Sequence, residues 1–160
     1  MAKNKKASAI RPLALVIIRR GDAILVAEGY DSARQETFYR PLGGRIAFGE
    51  YGHQTVAREL LEEIAEPITD VRYLGTLENV FVYNGEIGHE ICRIYDAVFV
   101  SEAVYERAAL QGTDDGELLF TARWLPLDYF RRGKAPLYPD GLLDLLLACS
   151  PAAHTPPQRL

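Results

Sequence analysis

Cysteine is scarce in this chain of 160 residues: only Cys92 and Cys149 occur. Two isolated thiols make neither a zinc-binding spacing nor a disulfide framework, so a reducing cytoplasm is the expected location. Long apolar runs are missing as well. None reaches the roughly 18 residues of a membrane-spanning helix. The basic opening Met-Ala-Lys-Asn-Lys-Lys is followed by an apolar stretch broken at Arg11 and Pro12, which excludes a signal-peptide reading. Positive charge is not in excess, with 18 Lys and Arg against 22 Asp and Glu, a net charge of −4 and a pI near 5.4. General affinity for nucleic-acid backbones needs clustered cations and is not expected. Nor is any internal repeat visible.

The length and 48% hydrophobic content fit one domain, expected over residues 10–150, with disordered tails at 1–9 and 151–160. Leu13 to Ile18 and Ala23 to Ala27 read as two strands of a hairpin turning at Gly21-Asp22. Tyr30 to Gln35 reads as a loop, and Thr37 to Leu42 as a short strand leading into Gly43-Gly44. Two longer extended segments, Val71 to Tyr83 and Glu90 to Val100, flank a polar link at Asn84 to Gly88. Ser101 to Leu110 is a short helix or an edge connection, and Gln111 to Gly116 a loop rich in turn residues. Thr121 to Leu125 is a further strand and Leu127 to Arg132 a helical turn. Gly141 to Cys149 is an apolar helix with Asp140 as its expected cap. Strands outnumber helices and need cover on both faces, which predicts an α/β fold: an α/β/α sandwich around a mixed β-sheet.

Between the short strand and the long extended segments lies a helix expected from about Gly52 to Ala65. At about 100° per residue, Glu59, Glu62 and Glu63 fall within one arc of about 100°. Val56, Ala57, Leu60, Leu61 and Ile64 form a separate apolar stripe. Acids at i, i+3 and i+4 repel, at a few tenths of a kcal/mol for a pair. A hard divalent cation with oxygen ligands is the simplest compensation.

The spacing around these acids is Gly44, five residues, Glu50, seven residues, then Arg58-Glu59-Leu60-x-Glu62-Glu63. It resembles the signature of the Nudix hydrolase family. Looser similarity extends through Phe38 to Gly44, Leu74 to Phe81 and Arg123 to Leu127. Two positions depart from the pattern: Ala65 stands where the family usually has Gly, and Glu66 where an apolar residue is usual. A glycine there suits a left-handed turn at the helix end, in which Ala costs roughly 1 kcal/mol more. Pro67 still stops the helix.

The resemblance implies a Nudix-like α/β/α sandwich and hydrolysis of a nucleoside diphosphate linked to another group. ADP-ribose and other nucleotide sugars, dinucleoside polyphosphates and nucleoside triphosphates all qualify as small-molecule substrates. It implies Mg²⁺, with Mn²⁺ as a substitute, held by Glu59 and Glu63, by the backbone carbonyl of Gly43, and by Glu62 as a supporting ligand. Glu50 and Arg58 match a pair that orients the helix and its preceding loop. The general base is Glu62, Glu90 or Glu117, and the sequence leaves these open. For substrate, Arg40 and Arg45 flank the glycines where a guanidinium forks onto phosphate. Tyr39, Phe81 and Tyr83 suit stacking on a base, and His89 a bond to phosphate or ribose. The bland readings are sheet core for the aromatics, an edge-strand hydrogen bond for His89 and plain surface charge for Glu90 and Glu117. Homodimerisation is expected by analogy with relatives. The competing class is a Nudix-like module that binds a nucleotide and regulates a partner without turnover. Such a module is expected to lose signature acids, and all of them are present here.

Overall fold

The computed structural model describes residues 8–114 and 116–149. The tail expected at 151–160, and all but two residues of that at 1–9, lie outside them. β1 (Arg11–Arg20) is apolar without alternation because Leu13 to Ile18 are buried on both faces. It runs parallel to β6 (Glu86–Phe99) and antiparallel to its other partners, so the sheet is mixed. The main path is β5-β6-β1-β2-β8-β7, with β5 spanning Ile68–Tyr83, β2 Ala23–Asp31, β8 Glu117–Pro126 and β7 Ala109–Asp114.

β1 and β2 stay paired only at Arg19–Ile24 and Arg20–Ala23 and then part. The freed edge of β1 is taken by β4 (Leu42–Arg45), and β2 also pairs with β3 (Glu36–Arg40). The single strand expected over Thr37 to Leu42 is therefore two. Pro41 separates them, since it has no N–H to give to a ladder. The crossing puts Gly43 opposite Leu15 and Gly44 opposite Ala14.

One face of the sheet carries Ala14, Val16, Ile18, Tyr95 and Ala97, packed against Val56, Leu60 and Ile64 of α1 (Gly52–Ile64). The other carries Leu13, Leu15, Ile17, Cys92 and Ile94, covered by Phe130 of α2 (Leu127–Arg131) and by Leu142 and Leu146 of α3 (Leu142–Ala148). The expected α/β/α sandwich with a mixed sheet is what the chain forms. No helix among the described residues is long and apolar enough to cross a membrane.

Several boundaries differ from the sequence reading. The Tyr30 to Gln35 loop shrinks to a turn at residues 32–35, held where Asp31 Oδ1 accepts from the N–H groups of Ala33 and Arg34. The Asn84 to Gly88 link is a tight turn at Asn84-Gly85, both at positive φ, which suits a two-residue hairpin. The Gln111 to Gly116 loop is mostly strand, because β7 pairs along β8 and finds backbone partners there. Ser101 to Leu110 divides into a 3-10 turn over Glu102–Glu106 and the start of β7. Asp140 does not cap α3: Gly141, in a left-handed conformation, holds that position without a side-chain bond.

Candidate functional site

The site begins where the backbone is tightest. Gly43 has φ near +140°, and a Cβ on it would stand 2.1 Å from the carbonyl oxygen of Ala14. A Cβ on Gly44 would stand 2.3 Å from the carboxyl carbon of Glu59. Only glycine lets β4 lie this close to β1 on one side and to the acidic helix on the other. The Glu59 carboxylate thus rests directly on the Gly44 backbone.

Arg58 organises the acids. Its Nε and Nη2 donate to Glu50 Oε1 and Oε2 at 2.8 and 3.0 Å, a two-pronged pairing. Its Nη1 donates to Glu59 Oε1 at 3.0 Å and to Glu62 Oε2 at 3.1 Å, and Nη2 also reaches the carbonyl of Arg45 at 3.3 Å. Glu50 accepts further bonds from Thr55 Oγ1 at 2.8 Å and from the Ala47 N–H at 3.2 Å. The Arg58 bond, then that of Thr55, holds the Glu50 carboxyl down to about 2. Arg58 itself is raised, first by its bond to Glu50.

Glu63 has the opposite environment. Burial, then the charges of Glu59, Glu62 and Asp114, push its carboxyl up to about 7, with Arg40 opposing. The helix ends beside it: Ala65 is left-handed at φ 56°, and its N–H bonds back to Leu61.

The side chains gathered here offer carboxylate oxygens, hard donors that suit Mg²⁺ or Mn²⁺ and not a soft metal. The Gly44 cradle lets the Glu59 carboxylate sit close to the backbone, which also fits. Among the described residues no three acids, histidines or cysteines stand ready at ligand spacing. Two of the acids are instead engaged by Arg58.

The other expected site residues scatter. Arg40 lies near enough for its charge to oppose the rise of the Glu63 carboxyl, without an ion pair to it. Arg45 is exposed at the end of β4. Glu117 is exposed at the start of β8, opposite Asp114 across the turn. Glu90 is not brought to the helix: it is buried, ion-paired with Arg11, on the face of β6 shared with Cys92 and Ile94, opposite α1. Tyr39 is packed in the core against Tyr129 and Phe130, and donates to Glu28 Oε2 at 3.1 Å. Burial, then that bond, raises its hydroxyl to about 12. Tyr83 meets Phe38 edge-on at the tip of the β5–β6 hairpin, while Phe81 lies in β5 against Gly88. His89 Nε2 is 2.7 Å from Glu78 Oε1, an edge-strand partnership. Asp114 and Thr55 were missed by sequence reasoning. The run Asp114-Asp-Gly-Glu117 flagged the region, but only strand register shows that Asp114 acts on Glu63.

The NUDIX domain family profile matches residues 9–145. The chain belongs to the Nudix family. Among curated proteins, it is similar to the NAD-capped RNA hydrolase NudC of Pectobacterium carotovorum, at 32% identity over 99 residues. That match covers 55% of this chain and 37% of the relative. The NudC of Photobacterium profundum is 28% identical over 122 residues, covering 69% of this chain and 45% of that protein. The chain thus spans less than half the length of these curated relatives. Among solved structures, a NUDIX hydrolase from Nitrosomonas europaea superimposes with a TM-score of 0.62 at 17% identity, covering 87% of each chain. The E. coli ORF135 protein gives 0.56 at 22% identity, covering 88% of this chain and 91% of that one. At such identities the likeness is one of fold, and that fold is the Nudix α/β fold.

Proposed function

We propose that this Nudix domain is a metal-dependent pyrophosphohydrolase that cleaves a nucleoside diphosphate linked to another group and releases a nucleoside monophosphate. The observation that carries the reading is the Glu59 carboxylate seated on the Gly44 backbone, on the helix that also presents Glu62 and Glu63. The crowding of Glu63 by Glu59, Glu62 and Asp114 supports it, because a dication relieves repulsion that Arg40 only partly offsets.

Glu59, Glu63 and the Gly43 carbonyl hold the metal in this reading, with Glu62 as a supporting ligand. Bound Mg²⁺ or Mn²⁺ supplies charge neutralisation at the pyrophosphate and a more acidic water. Glu62 is the base that fits best. It is exposed beside the ligands, and one bond to Arg58 restrains it. Glu117 is the second choice, paired with Asp114 at the start of β8. Glu50 and Arg58 are positioning residues, tying the turn before α1 to the acids. Arg40 and Arg45 attract the phosphates.

The names of the curated relatives add an NAD-type RNA cap to the substrates worth testing. With a net charge of −4 the domain would hold the capping dinucleotide itself more firmly than an RNA body. A second copy of the chain remains part of the proposal, by analogy with relatives.

The test is incubation with Mg²⁺ and a panel of nucleotide sugars, dinucleoside polyphosphates, nucleoside triphosphates and NAD-capped RNA. Monophosphate release by wild type and not by Glu63→Gln is the expected result. Tight binding without release across the panel, with Mn²⁺ as well, would favour the regulatory module instead.

A further inference from the structure

Phe48 is the most exposed large hydrophobic side chain among the described residues, at 109% relative accessibility against 79% for Ile87, the next. Leaving a phenylalanine in water forgoes the stabilisation its burial would bring, so its position asks for a cause. It is not at the tip of a loose loop. The Glu50 N–H donates to the Ala47 carbonyl at 3.0 Å, closing the turn that carries Phe48, with Gly49 at φ +81°. The Glu50 side chain caps the Ala47 N–H and is gripped by Arg58 and Thr55. The phenyl ring is therefore presented by a braced turn, fixed to the same helix as Glu59 and Glu63.

Beside it opens a cavity of about 630 Å³ lined by Pro12, Arg45, Ile46 and Phe48, whose lining continues to Arg58 and Glu59. Its composition joins a flat aromatic face and apolar neighbours to a guanidinium and a metal-ligand carboxylate. A molecule that satisfies all of these has a planar ring at one end and phosphates near a metal at the other. An aliphatic chain would leave Arg45 unused, and a bare sugar would leave the phenyl face wet.

We infer that the Phe48–Arg45 cavity is a stacking subsite for the planar base of a diphosphate substrate, whose phosphates then lie toward Glu59. The inference rests on the pyrophosphohydrolase reading above. It makes Phe48 a determinant of which substrates are bound, without a part in the chemistry.

Calorimetric titration of the full chain with Mg²⁺ tests this, using α,β-methylene-ADP and its base-free counterpart methylene diphosphonate. Loss of one stacked base weakens binding by about tenfold. Phe48→Ala should raise the Kd for α,β-methylene-ADP by about that factor. It should leave methylene diphosphonate within about twofold, and Phe48→Tyr should restore nucleotide binding. An unchanged nucleotide Kd, an equal loss for both ligands, or no nucleotide binding by wild type would each overturn the subsite. If the panel shows no monophosphate release while nucleotide binding still depends on Phe48, the hydrolase reading falls and the subsite stands.

Discussion

At the scale of single residues, the acids of α1 are unequal because their surroundings are. Glu59 is fixed by Gly44 and Arg58, Glu62 stands in solvent with one bond to Arg58, and Glu63 is half-buried among like charges. Without metal, each additional carboxylate in that group adds repulsion, so removing one should not harm the fold. Glu59→Gln should keep or raise the Tm in chelator while losing activity by orders of magnitude. Added Mg²⁺ should raise the Tm of wild type more than that of the variant, since a ligand that binds only the folded state stabilises by mass action. Differential scanning fluorimetry with and without Mg²⁺ checks both. A marked fall in chelator would mean that Glu59 serves the fold. The carboxylate grouping was legible in the sequence through helical spacing. The fourth acid, Asp114, was not, because its proximity to Glu63 comes from a strand lying far along the chain.

At the scale of elements, two features of α1 and its entry turn carry consequences. Ala65 ends the helix in the left-handed region that glycine occupies without a Cβ clash. Ala65→Gly should therefore stabilise the protein by about 1 kcal/mol, read from a denaturant midpoint at unchanged slope. The Glu50–Arg58 pair has a pH signature. The folded-state carboxyl lies near 2, below its ordinary value of 4.5, so the stabilisation is fully present above about 4.5 and is lost as pH falls toward 2. Wild-type Tm should fall across that window more steeply than that of Glu50→Gln, which has no carboxylate to protonate. Parallel curves would show that the pair does not contribute to stability. The helix was readable from its apolar stripe and its stop from Pro67, whereas the left-handed conformation of Ala65, one residue inside the expected helix, is seen only in the structure. The split at Pro41 was not, since a strand that changes partners looks like one strand until both neighbours are known.

At the scale of the whole molecule, the sheet separates the two helical layers. α3 closes the face opposite α1, with Leu146 buried in the cluster that also holds Leu13, Leu15 and Cys92. Leu146→Ala should cost about 2–5 kcal/mol of stability through the cavity it leaves. Because that layer contributes no acid to the site, the Mg²⁺ dependence of activity in the surviving folded protein should be unchanged. Denaturant unfolding and a Mg²⁺ titration of the rate measure the two effects separately. A shifted Mg²⁺ titration would mean that the layers are coupled through the sheet.

The sequence by itself determined the domain class, the acidic helix face and the family, because helical periodicity and a fixed spacing of charged residues are local properties. Tertiary structure decided the rest. It sent Glu90 and Tyr39 to the layer behind the sheet, since side chains alternate along a strand and only register tells which face each one takes. It brought Asp114 to Glu63 through the pairing of β7 with β8. It also left Phe48 in the open on the side of the helix that carries Glu59, a position set by the bonds that brace its turn.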